Sequence, residues 1–231
     1  MLSVDSSASP ASVCLYEDGR ILADYYLNAG FTHSQTLMAM TESVLAISGK
    51  SAQDIDVYAV NCGPGSFTGV RIGVSAVKGM AYAADKPCIA VSTLESMAYN
   101  YIGSKVTVCA CMDARRNQVY NALFLVENGK LTRVCDDRAI ALADLKEELA
   151  HIDGPIYLVG DGAALAYKNL SADIEELILP PEHRQHQRAS GVALAAIEAM
   201  ARGENADGAA LQPNYLRMSQ AERERLEKLK G

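Results

Sequence analysis

The sequence predicts a two-lobed α/β protein built from two copies of a β-β-β-α-β unit. Three observations predict it. Residues 1 to 27 and 106 to 135 follow one plan of three apolar strands. Each plan carries a hairpin dipeptide, Asp18-Gly19 and Asn128-Gly129, of the kind that reaches positive φ in tight turns. Each triplet is followed by a helix-period segment and another apolar strand. At 231 residues and 49% hydrophobic content, the chain has enough apolar material for two cores. The lobes are expected at 1–102 and 103–215, with a charged terminal helix at 216–231.

In chain order, a short apolar strand ends at Asp5, a small-residue turn follows, and SVCLY and ILADYYL pair through the turn at 17–20. HSQTLMAMTESVLAIS has helical period from Ser34 to Ile47 and is followed by the strand IDVYAV. NCGPGSFTGVRIG then turns into a second helix, with Ser66 or Thr68 as its N-cap. The second half repeats this: VTVCACM ends at Asp113, QVYNALFLV and LTRVC pair through 127–130, ALADLKEEL forms the helix and PIYLVG the strand. Gly160 and Gly162 sit in the next turn. In MSQAERERLEKLKG, Ser219 and Glu222 make a capping box, and LQPNYLR ahead of it is suited to docking on a neighbour.

This duplicated plan resembles that of the actin, sugar kinase and Hsp70 superfamily. There, an Asp at the end of each lobe's first strand faces a nucleotide in the cleft. Asp5 and Asp113 hold those positions here and are the weak candidates for cofactor binding. The turns after them, DSSASPAS and DARRNQ, contain no glycine, whereas phosphate-cradling turns need backbone N–H groups to approach closely. A strand-end turn role is the alternative for both aspartates.

The Gly-rich run Asn61 to Gly73 invites a phosphate reading, since free N–H groups and a positive helix end point the same way. Its spacing fits neither known phosphate motif. Five residues past Gly63 stands Thr68, and past Gly65 stands Val70, so the Walker pattern fails; Thr68, three residues after Gly65, stands where the dinucleotide pattern needs a glycine. The nearest cation is Arg71.

Other chemistry is sparse. Net charge of −7 argues against independent binding to nucleic acid. The absence of a basic, apolar leader or an eighteen-residue apolar run predicts a cytoplasmic protein with no membrane partner. Six cysteines without a CxxC pair read as buried free thiols. Four histidines lack the HExxH spacing, and His183 and His186 lie in a polar loop, so no metal and no catalytic residue are assigned. Ser66 lacks the closing glycine of a GxSxG elbow, which leaves a peptidase as a minor alternative.

Two helices carry more apolar or small surface than one core face needs. Leu37, Met40, Val44 and Ile47 make a stripe that Met38, Thr41 and Leu45 widen, and Gly69, Gly73 and Val77 leave the next helix smooth. Such faces serve internal packing or an adaptable partner surface.

HSQTLMAM, NCGPGSFTGVRIGVSAVKGMAYA, VSTLESMAYN, MDARRNQVYNALF and LQPNYLRMSQAERE, in this order, resemble the TsaB (YeaZ) family of tRNA threonylcarbamoyladenosine biosynthesis proteins. The resemblance implies a non-catalytic partner of the TsaD transferase, which modifies adenosine 37 of tRNAs that read ANN codons. It implies a heterodimer with TsaD, joined by the ATPase TsaE. It further implies tRNA contact only through the complex, and a homodimer when TsaD is absent. TsaD holds its metal with two histidines four apart; the corresponding pair here is His33 and Leu37. The resemblance places the partner interface on His33, Leu37, Met40, Val44, Gly69, Arg71, Gly73, Val77 and Met80. A nucleotide at the junction of the complex stays open, as does an ATPase or kinase reading of the cleft.

Overall fold

In a computed structural model the chain is described over residues 1–204 and 211–217. The first half runs β1 (Leu2–Asp5), β2 (Ala11–Glu17), β3 (Arg20–Leu27), α1 (His33–Ile47), a 3-10 turn (Ala52–Asp54), β4 (Tyr58–Asn61), α2 (Phe67–Ala84), β5 (Cys88–Val91) and α3 (Thr93–Tyr99). The second half runs β6 (Val106–Asp113), β7 (Gln118–Glu127), β8 (Lys130–Arg133), β9 (Arg138–Ala141), α4 (Leu142–Leu149), β10 (Ile156–Val159), α5 (Ala163–Leu170), β11 (Leu177–Ile178), α6 (Glu182–Gln185) and α7 (Ala189–Ala201).

The duplication is visible in the sheets. The first has strand order β3-β2-β1-β4-β5, and the second β8-β7-β6-β10-β11 with β9 also on β7. In both, the first strand pairs antiparallel with the second and parallel with the strand that follows the helix, β4 after α1 and β10 after α4. This is the two-lobed plan of the actin, sugar kinase and Hsp70 superfamily. Asp18-Gly19 and Asn128-Gly129 all take positive φ, as hairpin turns require.

Apolar side chains on α1 and α2, among them Leu37, Val44, Val70 and Val77, close one face of the first sheet. Leu145, Leu149 and Leu170 of α4 and α5 do the same for the second. Each such leucine contributes roughly 1.5–3 kcal/mol on burial. Ser66 starts α2 by accepting from Gly69 N at 3.2 Å.

Two helices cross the sequence midpoint. α3 lies against the second sheet, where Leu94, Met97 and Ala98 meet Val108, Ala110 and Phe124. α7 covers the open face of the first sheet, where Val192, Ala195, Ala196 and Ala199 meet Ala59, Ile89 and Val91. The boundary at 102/103 therefore divides the sheets but not the layers that cover them. The terminal helix expected at 216–231 lies outside the described residues from 218 onward, and Leu216–Arg217 form a bend. All six cysteines are free and five are buried. Burial pushes the Cys62 thiol up to about 11.

Candidate functional site: an interlobe cleft and the helix pair beside it

A cleft of about 650 Å³ opens between the lobes. Its walls are the β1–β2 turn, the start of α1, the Gly-rich turn with the start of α2, the β6–β7 turn, and residues 214–217. That volume suits a small molecule.

The chain itself has closed the chemistry at one wall. Asp5 is 1% exposed, and its Oδ1 accepts from Ser7 N at 2.6 Å and Ser7 Oγ at 2.8 Å. Its Oδ2 accepts from Asn61 Nδ2 at 2.6 Å. No open coordination direction faces the cleft from this carboxylate, which shapes the turn. Asp113 is partly open, but Oδ1 accepts from Arg115 N at 2.7 Å and Oδ2 pairs with the Arg115 guanidinium at 3.0 Å. Asp161 Oδ1 accepts from Asp113 N at 3.0 Å, so two carboxylates do share the far wall. Arg115, Arg116 and Asn117 hold consecutive left-handed conformations there without a glycine.

Burial raises the Asp5 carboxyl above its ordinary range, and the Ser7 and Asn61 hydrogen bonds oppose the shift. The folded chain thus holds this proton to higher pH than the unfolded chain. Stability from this group is fully present below the unfolded value, about pH 3.9, and is lost as pH rises through the folded value. Asp5→Asn removes that dependence, so its deficit relative to the parent is expected to be smaller at pH 7 than at pH 4. Urea midpoints at the two pH values check it, and a deficit that grows with pH would contradict it.

The Gly-rich run packs against its own chain. A Cβ at Gly65 would collide with Ser7 O and one at Gly69 with Ser6 O; at Gly73 it would lie 2.5 Å from Ser6 Oγ, and at Gly63 2.6 Å from Asn214 O. Ser66 N donates to Ser7 O at 2.6 Å, and Ser6 Oγ to Gly69 O at 2.9 Å. The glycines let the β1–β2 turn seat on the first two turns of α2. Gly160 and Gly162 act alike, since a Cβ on either would strike the backbone at the end of β6.

Six of the nine residues expected at a partner interface are packed inside this chain. Leu37, Met40, Val44 and Val77 are between 0% and 5% exposed in the first core, and Gly69 and Gly73 are covered by Ser6. None offers surface to a second protein. His33 is half-buried, and its Nε2 donates to Ala8 O at 2.7 Å, which pins the same turn. With Leu37 in the core and that imidazole nitrogen committed, the pair does not fit a metal. Among the described residues no group of three or more His, Cys, Asp or Glu is placed to hold one. Met80 is half-buried, and only Arg71 of the nine is exposed. Its guanidinium lies 3.8 Å from the Phe67 ring centroid and donates from Nε to Tyr215 Oη at 2.7 Å. LQPNYLR, expected to dock on a neighbour, docks here on α2: Leu211 is buried in the first core, and Tyr215 stacks on Phe67 at 4.7 Å.

The surface that remains is the outer side of the same two helices, of which the sequence reading had named Met38 and Arg71 but not Gly79 or Tyr82. α1 exposes Gln35, Met38, Ala39, Glu42 and Ala46, and α2 exposes Arg71, Ser75, Gly79 and Tyr82. Tyr82 is 91% exposed, and a Cβ on Gly79 would meet nothing within 4 Å. The available signal was negative: Gly79 sits outside the 69–73–77 stripe, so the core did not require it. Ser66 Oγ serves the α2 cap, and among the described residues no hydrogen bond joins it to a histidine or carboxylate. No helix among them is long and apolar enough to cross a membrane.

Known proteins share this architecture and sequence. The family described as TsaD, tRNA N6-adenosine threonylcarbamoyltransferase, matches residues 28–225. The tRNA threonylcarbamoyladenosine biosynthesis protein TsaB of Bacillus subtilis is 33% identical over 232 residues, covering 100% of this chain and 99% of its own. TsaB of Escherichia coli K12 is 33% identical over 165 residues, covering 70% and 71%. The structure of YeaZ from Pseudomonas aeruginosa superposes with a TM-score of 0.73 at 27% identity, covering 93% and 98%. Identity at that level from one end to the other makes this chain a member of the TsaB family.

Proposed function

We propose that the chain is a non-catalytic subunit in the formation of N6-threonylcarbamoyladenosine at position 37 of tRNAs reading ANN codons. It pairs with a TsaD-like transferase, works with a TsaE-like ATPase, and meets tRNA only within that complex. It pairs with itself when the transferase is absent, and it acts in the cytoplasm. The carrying observation is Gly79. A glycine in mid-helix costs roughly 0.5–1 kcal/mol against alanine, and nothing among the described residues uses the space it leaves. A second helix approaching α2 would use it, with the exposed Tyr82 as anchor. Support for a non-catalytic role comes from the Asp5 carboxylate, which is spent on its own turn, and from the missing histidine at position 37.

Gly79→Arg with Tyr82→Ala is expected to weaken co-purification with the transferase by about thirtyfold or more, roughly 2 kcal/mol, at unchanged circular dichroism. Retained binding in this double variant would sink the interface. Reconstituted tRNA modification with and without the chain tests the role itself.

The cleft favours one other reading, a nucleotide held against Asp113 and Asp161, by the chain alone or at its junction with the transferase. Titration calorimetry with Mg²⁺-ATP separates the two. The isolated chain is expected to give no heat of binding below millimolar nucleotide, and binding lost in Asp113→Ala would establish the cleft as a nucleotide site.

A further inference from the structure

Residues 211–217 cross the mouth of the cleft, and both ends of the crossing are anchored. On the first lobe Leu211 is 3% exposed, Lys78 Nζ donates to Leu211 O at 3.2 Å, and Asn214 N donates to Cys62 O at 2.6 Å. Tyr215 is stacked on Phe67 and held at its hydroxyl by Arg71. On the second lobe Arg217 Nη1 donates to Ala114 O at 2.9 Å. Ala114 belongs to the left-handed β6–β7 turn, which itself returns Ala114 N to Gln118 O at 3.1 Å.

The two anchors differ in kind. The first combines a buried leucine, a backbone bond and an aromatic stack, whereas the second is one side chain reaching a carbonyl. We propose that residues 211–217 form a strap that fixes the width of the cleft, docked firmly on α2 and latched to the second lobe by Arg217. Asn214, Tyr215, Leu216 and Arg217 supply one wall of the cleft, so the latch also governs entry from that side. A ligand too large for the latched cleft enters when Arg217 lets go, with the first-lobe anchor still in place.

Hydrogen exchange on the full chain, read by mass spectrometry, tests this. Arg217→Ala is expected to speed exchange about threefold to tenfold in peptides spanning 112–118, while amides at 62–68 keep their protection. Tyr215→Ala is expected to speed exchange about tenfold in both 62–68 and 211–217, because stack and hydroxyl bond are lost together. Arg116→Ala, in the same turn but without the latch, is the control and is expected to change neither. Unchanged exchange at 112–118 in Arg217→Ala overturns the latch, and unchanged exchange at 62–68 in Tyr215→Ala overturns the first anchor. Protection in the centres of β6 and β7 reports whether any variant has simply unfolded.

Discussion

Gly69→Ala is expected to destabilise the chain by about 3–5 kcal/mol, lowering the thermal midpoint by roughly 10 °C. Helix propensity alone predicts the opposite, since alanine in mid-helix is better than glycine by about 1 kcal/mol. The added methyl lands on Ser6 O, a backbone atom in a turn that Asp5, Ser66 and His33 hold from three sides. Neither partner can retreat without breaking those bonds. Gly79→Ala is the matched control: same helix, same substitution, open space, and an expected gain of about 0.5–1 kcal/mol. Opposite signs in urea midpoints support the packing account, and equal signs contradict it.

Arg133→Ala is expected to cost about 3 kcal/mol by the same measurement. Arg133 pairs with Glu95 Oε2 at 2.9 Å and Asp137 Oδ1 at 2.7 Å, with its guanidinium 4.7 Å from the Phe124 ring centroid. The Glu95 and Asp137 side chains are only 15% and 9% exposed. Removing the cation leaves Asp137 with the Ser92 hydroxyl and Glu95 with the longer pair to Arg202 at 3.7 Å, both with little water, a loss larger than the pairing itself confers. Ser92 Oγ donates to Asp137 at 2.5 Å, so the same change loosens the cap of α3. Lys105→Ala, which breaks the exposed pair with Glu127, is expected to cost under about 0.5 kcal/mol. A cost as small as that for Arg133→Ala would mean the network is solvated.

The duplicated unit was legible because its signals are local: strand period, Asp-Gly and Asn-Gly turns, and the Asp at each strand end. α7 was not, because valine, alanine and glycine surround it almost evenly; buried on several sides, it lacks the polar face that marks a helix. β11, with two residues, is too short to carry a period. At the site, the glycines of the 61–73 run were read as close approaches, and within this chain what approaches Gly65, Gly69 and Gly73 is the β1–β2 turn. Sequence spacing tells that something comes near Gly69 and Gly73; it does not tell that Ser6, sixty residues earlier, is what comes. Leu37, Met40 and Val44, expected on a partner surface, lie in the first core, and an apolar stripe has the same pattern whether a sheet or a partner covers it. The outer stripe with Gly79 and Tyr82 was hidden by its mixed character.

The crossing of α7 has a consequence in time. During synthesis the first sheet is complete once Val91 has emerged, yet the helix that covers Ala59, Ile89 and Val91 arrives only with residues 189–201. For roughly a hundred residues of translation, from Val91 until Ala189 emerges, that face lacks the helix that covers it. The first lobe therefore cannot finish folding as the ribosome makes it, and a fragment ending at residue 102 is expected to be caught by chaperones or to aggregate. The halves of this chain look like successive domains, but they mature together, when α7 returns to the first sheet.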